Sequence, residues 1–186
     1  MGQIYPTIDE SVRKFIEAQP LFFVASAPLD PGGHVNVSPK GLDTLRVLGP
    51  LTIAYLDLTG SGIETVAHLR ENGRIVLMFC AFQGPPKIFR LHGRGRVIEP
   101  EQAEYSSLAA HFQEHGGTRA IILVSVSRIC DSCGYGVPLL HYHGERSQLD
   151  AWSHHLGSEG LKTYRQERNQ LSIDRIPGLE KPAGSG

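Results

Sequence analysis

The residues able to do chemistry fall in separate clusters along the chain. The segment Asp57-Leu58-Thr59-Gly60-Ser61-Gly62-Ile63-Glu64-Thr65 leads from an apolar run into a helical pattern. Glycines flanking Ser61 let backbone N–H groups approach a ligand, and a helix start offers unpaired donors with partial positive charge. A phosphate or another anion suits such a loop. The same residues also read as an ordinary strand-to-helix turn, with Thr59 or Ser61 as the cap and Ser61–Glu64 at capping-box spacing. The spacing is that of neither a P-loop nor a dinucleotide fingerprint. Asn36, Ser38 and Lys40 alternate along Asn36-Val37-Ser38-Pro39-Lys40-Gly41 and so share one strand face, which lines a pocket or meets solvent. Arg90, His92, Arg94 and Arg96 alternate in the same way, and three guanidinium groups on one face need acid, solvent or phosphate beside them. Cys130-Asp131-Ser132-Cys133 is a CxxC that ends a strand rather than opening a helix, the usual site of a redox dithiol. With His141 and His143 it has the residue types for zinc, and structural thiols are the simpler reading.

The elements must place these clusters. Asp9 or Ser11 caps a helix over residues 8–18 with Val12, Phe15 and Ile16 on one face, and Pro20 ends it. Leu21–Ala25 and His34–Ser38 flank the turn-forming Pro31-Gly32-Gly33, which predicts a hairpin. Leu51–Leu56 is a strand. Ile63–Asn72 is a helix closed by Gly73, and Arg74–Phe82 follows as an apolar strand. Lys87–Ile98 is a long strand and Pro100–Gln113 a helix with acid in its first turn. Ala120–Ile129 is a strand, residues 144–157 and 159–169 are helical, and the tail from Pro177 reads as loose. Strands in hairpins with single helices between them predict a mainly β, α+β fold with an antiparallel sheet or small barrel. Residues 1–186 form one domain with a helical C-terminal extension over about 144–176.

Composition sets the outer limits. Eighteen basic residues against nineteen acidic ones leave a net charge of −1, which gives no bulk electrostatic hold on nucleic acid. No apolar run approaches the ~20 residues of a membrane-spanning helix. The first residues lack a basic region followed by an apolar stretch, and the odd count of 3 cysteines gives no disulfide scaffold. A reduced, cytoplasmic protein is the expectation.

The order of elements resembles the pyridoxamine 5′-phosphate oxidase-like family, the FMN-binding split barrels. The resemblance is carried by the hairpin ending in Asn36–Gly41, the strand Ile53–Asp57, the loop Thr59–Gly62, the helix after it, and Glu71-Asn72-Gly73-Arg74-Ile75-Val76-Leu77-Met78-Phe79. It covers roughly residues 8–130, and Ser132–Pro138 is similar to one branch of that family. The resemblance implies a six-stranded antiparallel split β-barrel, a homodimer, and FMN in a groove at the dimer interface. Asn36, Val37, Ser38 and Lys40 would flank the ring and ribityl chain. Asp57, Ser61, Gly62 and Thr65 would receive the phosphate end, with Arg90 as a charge partner. It implies a flavin-dependent oxidoreductase acting on a small molecule.

The chain departs from the family at one telling place. Pyridoxamine phosphate oxidases carry a basic Arg-Lys pair at the start of the inserted helix, where this chain has Glu64 and Thr65. Either Lys40 and an arginine of the Arg90/Arg94 face compensate, or the cofactor differs or is absent. The tryptophan-and-arginine substrate motif is not recognisable in Ser172–Leu179, so oxidation of pyridoxamine phosphate itself is not expected. The alternative is a non-catalytic flavin, deazaflavin or haem binding protein on the same barrel, with His92, His141 and His143 as candidate axial ligands.

Overall fold

The structure is a computed structural model and describes residues 2–179. Its elements in chain order are β1 (Ile4–Tyr5), α1 (Glu10–Glu17), β2 (Phe22–Ser26), β3 (Asn36–Lys40), β4 (Leu45–Gly49), β5 (Thr52–Leu58), α2 (Glu64–Asn72), β6 (Arg74–Cys80), β7 (Ile88–Ile98), α3 (Tyr105–Ala109), β8 (Thr118–Ser132) and α4 (Gln148–Arg168). All strand pairings are antiparallel. The sheet runs β3-β2-β6-β7-β8-β5-β4, with β1 added on β8. One edge of β8 pairs with β7. The other passes from β5, over Thr118–Ser125, to β1 at Ile129 and Cys130.

Cross-strand partners share a face of the sheet, so the register decides what is core. Val24, Leu77, Leu91 and Ile129 stand in one row and are fully buried. Phe22, Phe79 and Phe89 form the next inward-facing row. A fully buried aliphatic or aromatic side chain contributes about 1.5–3 kcal/mol, so these rows dominate the stability of the sheet. Helix α1 starts where the Asp9 carboxylate accepts the Val12 N–H at 2.9 Å, and it packs Val12 and Ile16 onto this core. On the opposite side, Tyr105, Leu108, Ala109 and Phe112 cover a smaller cluster of Ala54, Leu56, Ile98 and Ile121.

The antiparallel, mainly β architecture agrees with the sequence reading. Strands β1 and β4 were not expected. The helix expected over Pro100–Gln113 contracts to α3, with turns on either side, and its apolar residues still reach the sheet. The two expected C-terminal helices meet at Gly157, whose φ of 62° and ψ of −177° break α4 in a region open essentially to glycine. Asn169 to Leu179 then folds back on the barrel. Leu171 bridges Pro177, and Gly178 and Leu179 are held by the Gln170 and Asn169 carbonyls, so this stretch is not loose. The rest of the expected tail lies outside the described residues.

Candidate functional site

Strand β3 ends the sheet, and only β2 pairs with it. Its second edge therefore carries backbone N–H and C=O groups free of strand partners, apart from Pro39, which has no N–H to offer. The pleat sends Asn36, Ser38 and Lys40 to the inner face and Val37 outward, where it is 60% exposed. Asn36 donates through Nδ2 to Thr65 Oγ1 at 2.9 Å, and Ser38 Oγ reaches Asn36 Oδ1 at 3.4 Å. These bonds tie the edge strand to the first turn of α2.

Lys40 points under the edge strand to Asp57 at the end of β5, with Nζ 2.9 Å from Oδ1. The other carboxylate oxygen takes Arg119 Nε at 2.8 Å. Asp57 is fully buried. Burial alone would raise its carboxyl, but Lys40 and Arg119 reverse the sign and hold it at about 2. Arg119 also donates to Asn169 Oδ1 at 2.9 Å, and Asn169 Nδ2 donates to the Gly60 carbonyl at 2.9 Å. Tyr55 lies beside this cluster, with the Lys40 ammonium 6.0 Å from its ring centroid. Its buried hydroxyl has no partner among the described residues, and burial pushes its pKa up strongly.

The loop that begins α2 does not use the expected caps. Ile63 occupies the cap position and no side chain caps the helix. Thr59 is committed elsewhere, since its N–H and hydroxyl both donate to the Gly117 carbonyl and its oxygen accepts Arg165 Nε at 2.9 Å. Ser61 and Gly62 are exposed. The Glu64 carboxylate folds back on Gly62, so that a Cβ at that glycine would lie 2.6 Å from Oε2. Its Oε1 accepts the Ile173 N–H at 3.3 Å. The next residue, Asp174, accepts both the His34 backbone N–H at 2.8 Å and His34 Nδ1 at 2.6 Å. The C-terminal segment thus straps the α2 corner to the β2–β3 loop.

Asn36, Ser38 and Thr65 are joined by hydrogen bonds and Lys40, on the same strand face, pairs with Asp57, whereas Ser61 and Gly62 are exposed on the loop before α2. Val37 is on the far face of the same strand. Arg90 is not brought to this group. It stands in the outward row Pro39, Phe23, Met78, Arg90, Cys130 and donates to Ser132 Oγ at 2.9 Å. Arg94 donates to the Asn72 carbonyl, and Arg96 forms a bidentate pair with Glu104 at 2.8 and 3.0 Å. Cys130 is half-buried, Cys133 is exposed, and His141 and His143 are exposed on the loop beyond. Among the described residues no group of three or more His, Cys, Asp or Glu is placed to hold a metal ion. No helix among them is long and apolar enough to cross a membrane.

Sequence reasoning missed Arg119, Asn169 and the strap. Arg119 had a signal, as a lone charge at the start of the apolar run Ala120–Val124. Asn169, Ile173 and Asp174 had none, because their partners lie far off in the chain, 50 positions away for Arg119 and more than a hundred for Gly60, Glu64 and His34.

An antiparallel sheet of this order with a helix inserted between β5 and β6 is the split-barrel class. The family model for pyridoxamine 5′-phosphate oxidase matches residues 8–133. The pyridoxamine 5′-phosphate oxidase family protein ustO of Aspergillus flavus is 39% identical over 196 residues, covering 96% of this chain and 78% of that protein. The chain therefore belongs to the pyridoxamine 5′-phosphate oxidase family. Among solved structures, a HupZ variant of Group A Streptococcus has a TM-score of 0.53 at 24% identity, covering 67% of this chain and 99% of that one. A Clostridium acetobutylicum protein related to general stress protein 26 of B. subtilis, of the pyridoxinephosphate oxidase family, has a TM-score of 0.52 at 12% identity. That match covers 66% of this chain and 86% of the other. At these identities the two structures speak to the fold alone.

Proposed function

We propose that the chain is a flavin-dependent oxidoreductase, with the cofactor lying along the free edge of β3 and a small molecule as substrate. Pyridoxamine phosphate is not that substrate. The observation that carries this reading is the unpaired β3 edge joined to the first turn of α2 by the Asn36–Thr65 bond. A flavin ring has a pyrimidine edge of alternating donors and acceptors, and an unpaired strand edge offers the complementary set. Asn36, Ser38 and Thr65 add side-chain groups for the polar chain that leaves the ring. Lys40, fixed by Asp57, brings positive charge close beneath the strand. When bound, the flavin supplies the hydride chemistry, and the protein's part is to bind and orient it. No side-chain nucleophile is needed. FMN is the form that family membership suggests, and a homodimer is the matching assembly. Val35 and Val37, 72% and 60% exposed beside the edge strand, support a second copy covering this side.

The purified protein tests this through its visible spectrum and a flavin titration, followed by anaerobic addition of NADH or NADPH. A flavin band that bleaches with the reductant is the expected result. A bound flavin that neither nucleotide reduces would make the protein a carrier rather than an oxidoreductase. Failure to take up any flavin would overturn the reading.

A further inference from the structure

Between α4 and the start of β8 lies a cavity of about 420 Å³, none of whose lining residues belongs to β3 or α2. Its basic side is built from Arg119 on β8 and from Lys162 and Arg165 on α4, with the amides of Gln166 and Gln170 beside them. Arg119 is only 5% exposed. Its Nε and Nη1 are taken by Asp57, the Gly60 carbonyl and Asn169, and its Nη2 has no partner among the described residues. Arg165 is half-buried. It donates Nε to Thr59 Oγ1 at 2.9 Å and Nη2 to the Thr118 carbonyl at 3.0 Å, while its Nη1 has no partner among the described residues. Its acceptors are all neutral, because Asp57 is already shared by Lys40 and Arg119. Burial, and then the charge of Arg119, lower the Arg165 pKa, and Tyr105 and Glu101 offset this only in part. The acids at the cavity do not neutralise it. Glu99 pairs with Arg70, and Glu101 is exposed and makes no ion pair among the described residues.

We propose that this cavity is a second ligand site, separate from the β3 edge, that binds a small molecule by an oxyanion end held between Arg119 and Arg165, with Lys162 and Gln166 at its exposed rim. Cations drawn partly out of water without a matching anion are costly, and a bound anion offsets that cost. The planar guanidinium fork matches the oxygens of a carboxylate and of a phosphate alike. The volume is in the range of small-molecule sites, so the oxyanion can be one end of a larger ligand.

The test is isothermal titration calorimetry on the full-length protein, with inorganic phosphate and succinate as separate probes at one fixed ionic strength. Saturable binding of at least one probe to a single site is the expected result, and the one that binds more tightly tells a phosphate end from a carboxylate end. Arg165→Gln weakens that binding by roughly tenfold or more, as loss of a hydrogen bond between charged groups implies. Lys162→Ala weakens it by a smaller factor, and Glu101→Gln strengthens it by removing a nearby negative charge. Thermal melting confirms that the variants fold, and Lys162→Ala, at an exposed position, carries the test if Arg165→Gln does not. Added sodium chloride weakens binding in the wild type, because the rim is open to solvent. Neither probe binding saturably at millimolar concentration overturns the proposal. So does binding that the folded Arg165 and Lys162 variants leave unchanged.

Discussion

Two places in the molecule gather charge, and they behave in opposite ways. Under β3, Lys40 and Arg119 converge on one carboxylate that has no contact with water. On the outer face of β7, Arg94 and Arg96 stand exposed, one on a backbone carbonyl and the other on Glu104. Both groups are built by the same device, alternation along a strand. The difference is which phase of the alternation meets the core. Lys40 shares its row with Phe22 and Phe79, whereas Arg90 shares its row with Phe23 and Met78, on the other side of the sheet. Burial then sets the energetics. Desolvated charges depend strongly on one another, whereas exposed pairs are screened and replaceable.

The largest expected effect comes from removing the shared carboxylate. Asp57→Asn leaves two cations facing one neutral amide and costs about 3–5 kcal/mol of stability, read from urea unfolding. A loss under about 1 kcal/mol would erase the contrast between the two regions. The same group sets a pH dependence. Its folded pKa of about 2 lies below the unfolded value, so it contributes stability above pH ~4 that is lost as pH falls through 2, about 2 kcal/mol in all. Urea midpoints taken at falling pH would show this slope in the wild type and a flatter one in Asp57→Asn. Asn36→Ala and Thr65→Val come next. Each loses the partly buried Asn36–Thr65 hydrogen bond, and Asn36→Ala also the long one from Ser38, at about 1 kcal/mol of stability, and each weakens flavin binding by roughly tenfold. The smallest effects belong to the β7 face. Arg96→Ala changes stability by less than about 1 kcal/mol, and Arg90→Ala leaves flavin affinity unchanged in titration. A drop in affinity for Arg90→Ala matching that of Asn36→Ala would join the two regions and break the comparison.

Much of the site was legible because its parts are local. The Pro31-Gly32-Gly33 turn places β3 against β2. Alternation puts Asn36, Ser38 and Lys40 on one face, and Gly73, with its φ of 70°, ends α2 where the sequence says it must. What was not legible depends on registers and on distant chain. Alternation groups Arg90, Arg94 and Arg96 on one face without saying whether that face looks inward, and the outward answer needs Phe89 and Leu91 to be in the core. The Ser61–Glu64 spacing fits a capping box, yet Glu64 turns to Gly62 and Ile173 instead, because the returning C-terminal segment offers a backbone donor that local sequence cannot reveal. Strand β4, with Arg46 as its second residue, carries too short an apolar run to announce itself, and it forms because β5 pairs with it.

The most direct test of the account is an equilibrium flavin titration of the wild-type protein beside Asn36→Ala and Arg90→Ala, followed by absorbance and fluorescence. Saturable binding of flavin in the wild type, roughly tenfold weaker in Asn36→Ala and unchanged in Arg90→Ala, is the expected result. A wild-type protein that takes up no flavin, or one whose binding depends on Arg90 and not on Asn36, would contradict it.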